Sequence, residues 1–305
     1  HPTGMVWPPS VKGTLITEGV RGEGGVLLNN EQQRFMFDNI PPRFQGDHAE
    51  TEEEANEWVS DVVAGRIPEV RRPPELLTRD VVARAIRKEV NSGRGSPHGG
   101  VFLDIATRRS AEAIKKKLPS MYHQFKELAD IDITTDPMEV GPTCHYTMGG
   151  IRVDAETQET SISGLYAAGE AAGGMHGSNR LGGNSLSDLL VFGKRAGQYA
   201  AETAAGKTQA DINDEEIASV AADLLAPFDR SGGESPYGIH DDLRSMMQQK
   251  VGIVRTAEEL NEALEALDVL RGRAASVSVT GNIQFNPGWH LALDLSNMLD
   301  ISEAV

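Results

Sequence analysis

The chain is expected to fold as a mixed α/β protein that ends in a purely helical module. Over the first two hundred residues, short β-branched runs alternate with helical patterns, and glycine and proline separate them. After Gly206 the strand patterns cease and apolar residues recur at helical spacing. With 305 residues, the chain can bury one large core or two modest ones.

The elements follow in order. Thr14 to Asn29 reads as strand and turn, with Gly19, Gly22, Gly24 and Gly25 permitting close backbone approach. Residues 41–54 form a polar linker, and its acidic run at Glu50 and Glu52 to Glu54 reads as a solvated helix start. Ala55, Trp58, Val59, Val62 and Val63 then share a helical face that Gly65 ends. Thr78 is placed to cap a helix bearing Val82, Ile86 and Val90. Val101 to Leu103 is a short strand, and Ser110 to Leu118 a basic helix closed by Pro119, with Lys115 to Lys117 facing solvent. Ile151 to Val153 and Gly164 to Ala168 read as strands. Ser185 with Asp188 forms a capping box ahead of Leu186, Leu189, Leu190 and Phe192. Further helices are expected over 211–228, from Thr256 with its capping partner Glu259, and over 289–300.

Bulk properties exclude several function classes. A net charge of −16 argues against nucleic acid or an anionic membrane surface as a direct partner. Aromatic residues are too few to suggest a platform for stacking bases. No run has the length of a membrane-spanning helix, so direct membrane insertion is not expected. Cys144 is the single cysteine, which precludes an intrachain disulfide or a cysteine-built metal site and reads as buried filler. Neither histidine of the motifs below has ligand-like spacing to a carboxylate, so no metal is expected.

Chemistry concentrates at residues 143–197. Thr143-Cys144-His145-Tyr146-Thr147-Met148-Gly149-Gly150 leads to Gly164-Leu165-Tyr166-Ala167-Ala168-Gly169-Glu170. His176-Gly177-Ser178-Asn179-Arg180-Leu181-Gly182-Gly183-Asn184-Ser185-Leu186 follows. The track carries an imidazole, a carboxylate, a guanidinium and a helix start, equipment for holding a flavin against a small dicarboxylate. Arginine suits the carboxylates, because its planar fork binds them in pairs and keeps its charge. The unpaired N–H groups of the helix start could face a flavin carbonyl. With His1-Pro2-Thr3-Gly4 and Thr78-Arg79-Asp80 in the same order, this track closely resembles the succinate dehydrogenase/fumarate reductase flavoprotein family.

The resemblance implies an α/β flavin-binding portion, Rossmann-like and incomplete, with an α+β capping domain and a C-terminal helical domain. Residues 1–140 would form the cap and its leading segment, 141–205 the end of the flavin domain, and 206–305 the helical domain. It implies FAD as cofactor, succinate or fumarate as substrate, and hydride transfer between them. His1, Thr17, His145 and Arg180 would contact substrate, while Glu170, Asn184, Ser185 and Leu186 would hold FAD. Arg79 would carry the proton, with Glu18 and Arg21 completing a relay and Asp80 orienting Arg79. An ion-pair network around a buried glutamate is the structural alternative for this last group. His48, His98, His123, His240 and His290 lie outside the motifs and read as structural.

No Gly-x-Gly-x-x-Gly follows a strand near the start, and in the family that fingerprint precedes His-Pro-Thr-Gly. The chain is therefore expected to be a fragment lacking the N-terminal half of the flavin domain. It also stops at Val305, short of the family's basic C-terminal segment. Any covalent flavin attachment would lie upstream. The implied partners are an iron–sulfur protein and a membrane anchor, which would place this protein peripherally on the cytoplasmic face of the inner membrane. L-aspartate oxidase is the alternative enzyme, but its usual Leu-Ala-Ser-Asn-Ser-Leu is here Leu181-Gly182-Gly183-Asn184-Ser185-Leu186. A non-catalytic assembly protein is a third reading, one that would not need the charged motif residues.

Overall fold

A computed structural model describes residues 2–178, 180–208 and 213–305. The chain divides into two compact units, 1–207 and 208–305.

The first unit is built on a four-stranded antiparallel sheet in the order β1-β4-β3-β2. The strands are β1 (Thr3–Met5), β2 (Val26–Leu28), β3 (Val101–Asp104) and β4 (Met138–Pro142). Gly4 pairs with Gly141, Leu103 with Met138, and Leu27 with Leu103. At Gly4 a Cβ would lie 2.7 Å from the Thr143 side chain, so only glycine lets β1 reach this register.

Among the described residues, six helices accompany the sheet: α1 (Gly19–Gly22), α2 (Glu52–Val63), α3 (Arg79–Asn91), α4 (Ala111–Lys117), α5 (Pro119–Ala129) and α6 (Asn184–Ala205). Val81, Val82, Ala85 and Ile86 line one face of α3 and join Leu27, Leu103, Phe125, Met138 and Val140 in one core. Each of those core side chains is sealed from water, which favours folding by ~1.5–3 kcal/mol per large apolar group.

The second unit contains α7 (Asp214–Asp229), α8 (Pro236–Lys250), α9 (Ala257–Ala274) and α10 (Pro287–Ala304). Ile239, Leu243, Leu267, Leu270, Leu295 and Leu299 form its core. Thr256 and Glu259 cap α9 reciprocally, as the sequence predicts. Trp289 Nε1 donates to the Leu224 carbonyl at 2.7 Å and ties α10 to α7. The first residues of the helix expected over 211–228 lie outside the described residues.

Several expectations need correction. Within Thr14–Asn29, Thr17 Oγ1 accepts the Gly19 N–H and starts the helical turn α1, so only Val26–Leu28 is strand. Residues 151–153 and 164–168 make isolated bridges, because Gly164 and Gly169 have φ of 86° and 71° and turn the chain before a ladder extends. Glu170 consequently sits in a 3-10 turn, Gly169–Ala171. Ser185 and Asp188 form no capping box: α6 begins at Asn184 after Gly183 at φ 83°, and no side chain caps it. Cys144 is exposed where the chain leaves β4. The helices α5 and α8 were not legible as separate elements, since Pro119 and Pro236 open them rather than only ending what precedes.

Candidate active site

Two groups of charged residues occupy different parts of the first unit. In one, Glu18 lies between two arginines that come from separate segments. Arg79 Nε donates to Glu18 Oε2 at 3.2 Å, and Arg21 Nη2 lies 3.9 Å from Glu18 Oε1. Arg79 is the first residue of α3, while Glu18 precedes α1 and Arg21 lies within it. The Glu18 and Arg79 side chains are 41% and 38% exposed, so both can meet a ligand, whereas Arg21 is 2% exposed and cannot. Burial pushes the Arg21 guanidinium below its ordinary value, opposed by Glu18 and Glu75 and aided by Arg79. Arg21 Nη1 donates to the Glu75 carbonyl, and its Nε has no partner among the described residues.

Asp80 does not orient Arg79. Its carboxylate pairs with Arg84 one turn along α3, the ordinary i,i+4 arrangement. Thr17 is exposed, and its hydroxyl accepts from Gly19. His1 lies outside the described residues.

The second group is assembled on the glycine-rich track. The Arg180 guanidinium stands over the Tyr146 ring at 4.6 Å, and its Nη1 donates to the Leu181 carbonyl at 3.1 Å. Arg180 Nε is buried without a partner among the described residues, leaving hydrogen-bonding capacity at this point. The Tyr146 ring meets His176 edge-on, and His176 Nε2 lies 3.2 Å from Asp188 Oδ2. Burial raises the Tyr146 phenol above its ordinary value; Asp188 and Glu170 act in the same direction and Arg180 opposes. Glu170 Oε1 accepts the Thr147 N–H at 2.8 Å, holding the histidine motif against the 3-10 turn. His145 is exposed.

At the head of α6, Leu181 and Gly183 carbonyls take the Asn184 and Leu186 amides. The Ser185 N–H has no main-chain acceptor among the described residues. Gly182 and Gly183 have open space where a side chain would point. A long helix start with a free amide and two unobstructed glycines fits the electron-rich edge of a flavin. Leu186 is 67% exposed beside it.

Sequence reasoning missed Arg34 and Glu75, whose buried pairing underlies Arg21, and the His176–Asp188 pair. Arg34 and Glu75 stand 41 residues apart in no motif, and nothing in their spacing signals contact. The His176–Asp188 pair had a partial signal, since both lie within the matched track.

The helix start, the arginine over Tyr146 and the Arg–Glu–Arg triplet are the kind of features a flavin-binding protein carries. Residues 1–186 match the family described as "FAD binding domain", and residues 240–305 that described as "Fumarate reductase flavoprotein C-term". The chain belongs to the succinate dehydrogenase/fumarate reductase flavoprotein family, whose cofactor is FAD. It is 34% identical over 312 residues to the "Fumarate reductase flavoprotein subunit" of Escherichia coli, covering 100% of this chain and 48% of that protein. Solved structures superpose on it as well. "Mycobacterium smegmatis Sdh1 in complex with UQ1" shares 53% identity at TM-score 0.77, covering 100% of this chain and 46% of that one. "Quinol-Fumarate Reductase with Menaquinol Molecules" shares 33% identity at TM-score 0.82, covering 99% and 49%. The mixed helix and sheet fold is thus that of the fumarate reductase flavoprotein. The chain spans about half the length of the curated relatives it matches. Among the described residues, no helix is long and apolar enough to cross a membrane.

Proposed function

We propose that this chain forms the substrate-handling part of a flavoprotein that interconverts succinate and fumarate. The observation that carries the reading is the meeting of Glu18 with Arg79 at 3.2 Å and Arg21 at 3.9 Å, from segments 61 and 3 residues away. When bound, FAD supplies the acceptor or donor of the hydride. Ser185 and Leu186 at the start of α6, with Asn184 and Glu170, would hold it. Arg180, His145, Thr17 and His1 would bind the two carboxylates, with the buried Arg180 Nε available for a charge-assisted bond.

Arg79 would deliver or remove the proton at the substrate carbon opposite the hydride. Free arginine is a poor base, since its pKa lies above ~12. It can act only when its proton passes onward at once, and Glu18 Oε2 is in contact to receive it. Arg21, held in a fixed place, faces the same carboxylate from its other oxygen. We read residues 1–140 as the cap with its leading segment, 141–205 as flavin-domain sequence and 206–305 as the helical domain. Relatives named as flavoprotein subunits, and neighbours solved with quinones, support an iron–sulfur partner and a membrane anchor. Location at the cytoplasmic face of the inner membrane would follow from those partners.

The test uses the complete FAD-loaded polypeptide, saturating substrate and an artificial electron acceptor. Arg79→Lys keeps charge but loses the fork, and Glu18→Gln cannot accept a proton; each is expected to lower kcat by roughly a hundredfold or more. FAD should stay bound and reducible by dithionite. Near-normal rates in both variants would remove the proton relay. Arg180→Ala should weaken substrate binding by about 1.5–3 kcal/mol, the value of a charged hydrogen-bonded contact. Unchanged apparent affinity and rate would make Arg180 structural.

A further inference from the structure

We propose that Arg34 and Glu75 are positioning residues that set the distance between Arg79 and Arg21 and so hold Glu18 in line. The inference rests on the function proposed above. Arg34 Nε and Nη2 fork onto the Glu75 carboxylate at 2.6 and 2.9 Å. Their side chains are 5% and 1% exposed, so neither can touch a substrate. The pair is not isolated: Arg34 Nη1 reaches Asn56 Oδ1 of α2 at 3.4 Å, and Arg108 donates to the same oxygen.

Glu75 acts through two different groups. Its main-chain carbonyl accepts Arg21 Nη1, the only hydrogen bond of that guanidinium among the described residues. Its turn, Pro74–Leu76, leads through buried Leu77 to Thr78 and Arg79 at the start of α3. Three residues therefore separate the group that fixes Arg21 from Arg79 itself. With the carboxylate clamped by Arg34, the turn cannot slide, and both flanks of Glu18 are set by one anchor. The charges acting on Arg21 are Glu18, Glu75 and Arg79, and of the two carboxylates Glu75 is the buried one.

Removing one partner alone leaves an uncompensated buried charge and endangers folding. The double variant Arg34→Met with Glu75→Leu roughly keeps volume, leaves neither charge of the pair without the other and removes the fork; Arg34→Lys keeps the charge and removes one of its two bonds. In the complete FAD-loaded polypeptide the double variant should lower kcat by roughly ten- to a hundredfold, as a small misplacement of reacting groups does. KM should stay within about threefold, because no substrate contact is lost. The solvent deuterium isotope effect on kcat should rise as proton transfer becomes limiting, and Arg34→Lys should fall between. A merely structural defect would lower the active fraction without changing the isotope effect. Unaltered kcat and isotope effect in the double variant would overturn the proposal. If the unsubstituted protein shows no succinate- or fumarate-dependent turnover, the proposed function fails instead. Amide hydrogen exchange over residues 76–82, measured on the 305-residue chain without cofactor, then decides the anchor: faster exchange in the double variant supports it, and unchanged exchange removes it.

Discussion

Residues 2–142 and 143–205 carry the two halves of the candidate site, and they are held by different forces. In the first, Leu27, Leu103, Phe125 and Met138 are fully buried, and the charged trio stands on elements pinned to that core. In the second, Leu186 and Leu190 are 67% and 76% exposed, and the described backbone is shaped by turns, single bridges and contacts such as Glu170 to Thr147. Under the proposed function, the proton-transfer groups stand on elements fixed by this core, while the Glu18 and Arg79 side chains themselves are 41% and 38% exposed. The residues proposed to hold ligands stand on a track whose apolar side chains, Leu186 and Leu190 among them, face outward.

The contrast can be broken by mutation. Phe125→Ala should cost the first unit about 3–5 kcal/mol, since it opens a cavity in a sealed core. A chemical melt followed by far-UV circular dichroism would check this, and a change below ~1 kcal/mol would mean the core is less closed than its burial implies.

Glu89 tests the same region electrostatically. Arg94 donates to both of its oxygens at 2.8 Å and Asn29 adds a bond at 3.0 Å, while the carboxylate is 4% exposed. The Arg94 bonds, with help from Asn29, hold the carboxyl below its ordinary value against the opposing effect of burial. A depressed carboxyl contributes stability that is complete above its unfolded pKa of ~4.3 and is lost as pH falls through the lower folded value. Glu89→Gln should therefore destabilise the first unit by about 1–3 kcal/mol at neutral pH and flatten part of its decline in acid. Melts at pH 7 and pH 3 would reveal it; equal losses at both pH values would contradict the assignment.

The smallest effect should come from the second region. Leu190→Ala removes a side chain that is 76% exposed and should change the stability of the 305-residue chain by no more than about 0.5 kcal/mol. A loss near that of Phe125→Ala would show that the α6 face is covered in solution and would erase the contrast.

Much of the fold and of the candidate site was legible beforehand. The helices α2, α3, α4, α9 and α10, and the strand β3, followed from apolar spacing, caps and breakers. The motifs named Arg79, Glu18 and Arg21 together, and the chain brings them together. The errors fell where a local pattern had two outcomes. Ser185 and Asp188 had capping-box spacing, yet Gly183 turned the chain so that α6 began at Asn184, and Asp188 paired with His176. Asp80 adjoins Arg79 in sequence and stands four residues before Arg84, and helical geometry chose Arg84.

By itself the sequence determined the class of protein, the residue types of its chemistry and most helices, because caps, periodicity and motifs act over a few residues. Tertiary structure alone decided the sheet order β1-β4-β3-β2, the burial of Arg21 and its anchoring by Arg34 and Glu75. The sheet pairs strands as far apart as Thr3 and Pro142, and the anchoring joins groups 41 and 54 residues apart; pairing of charges at such distance is chosen by which of them the closing core leaves without water.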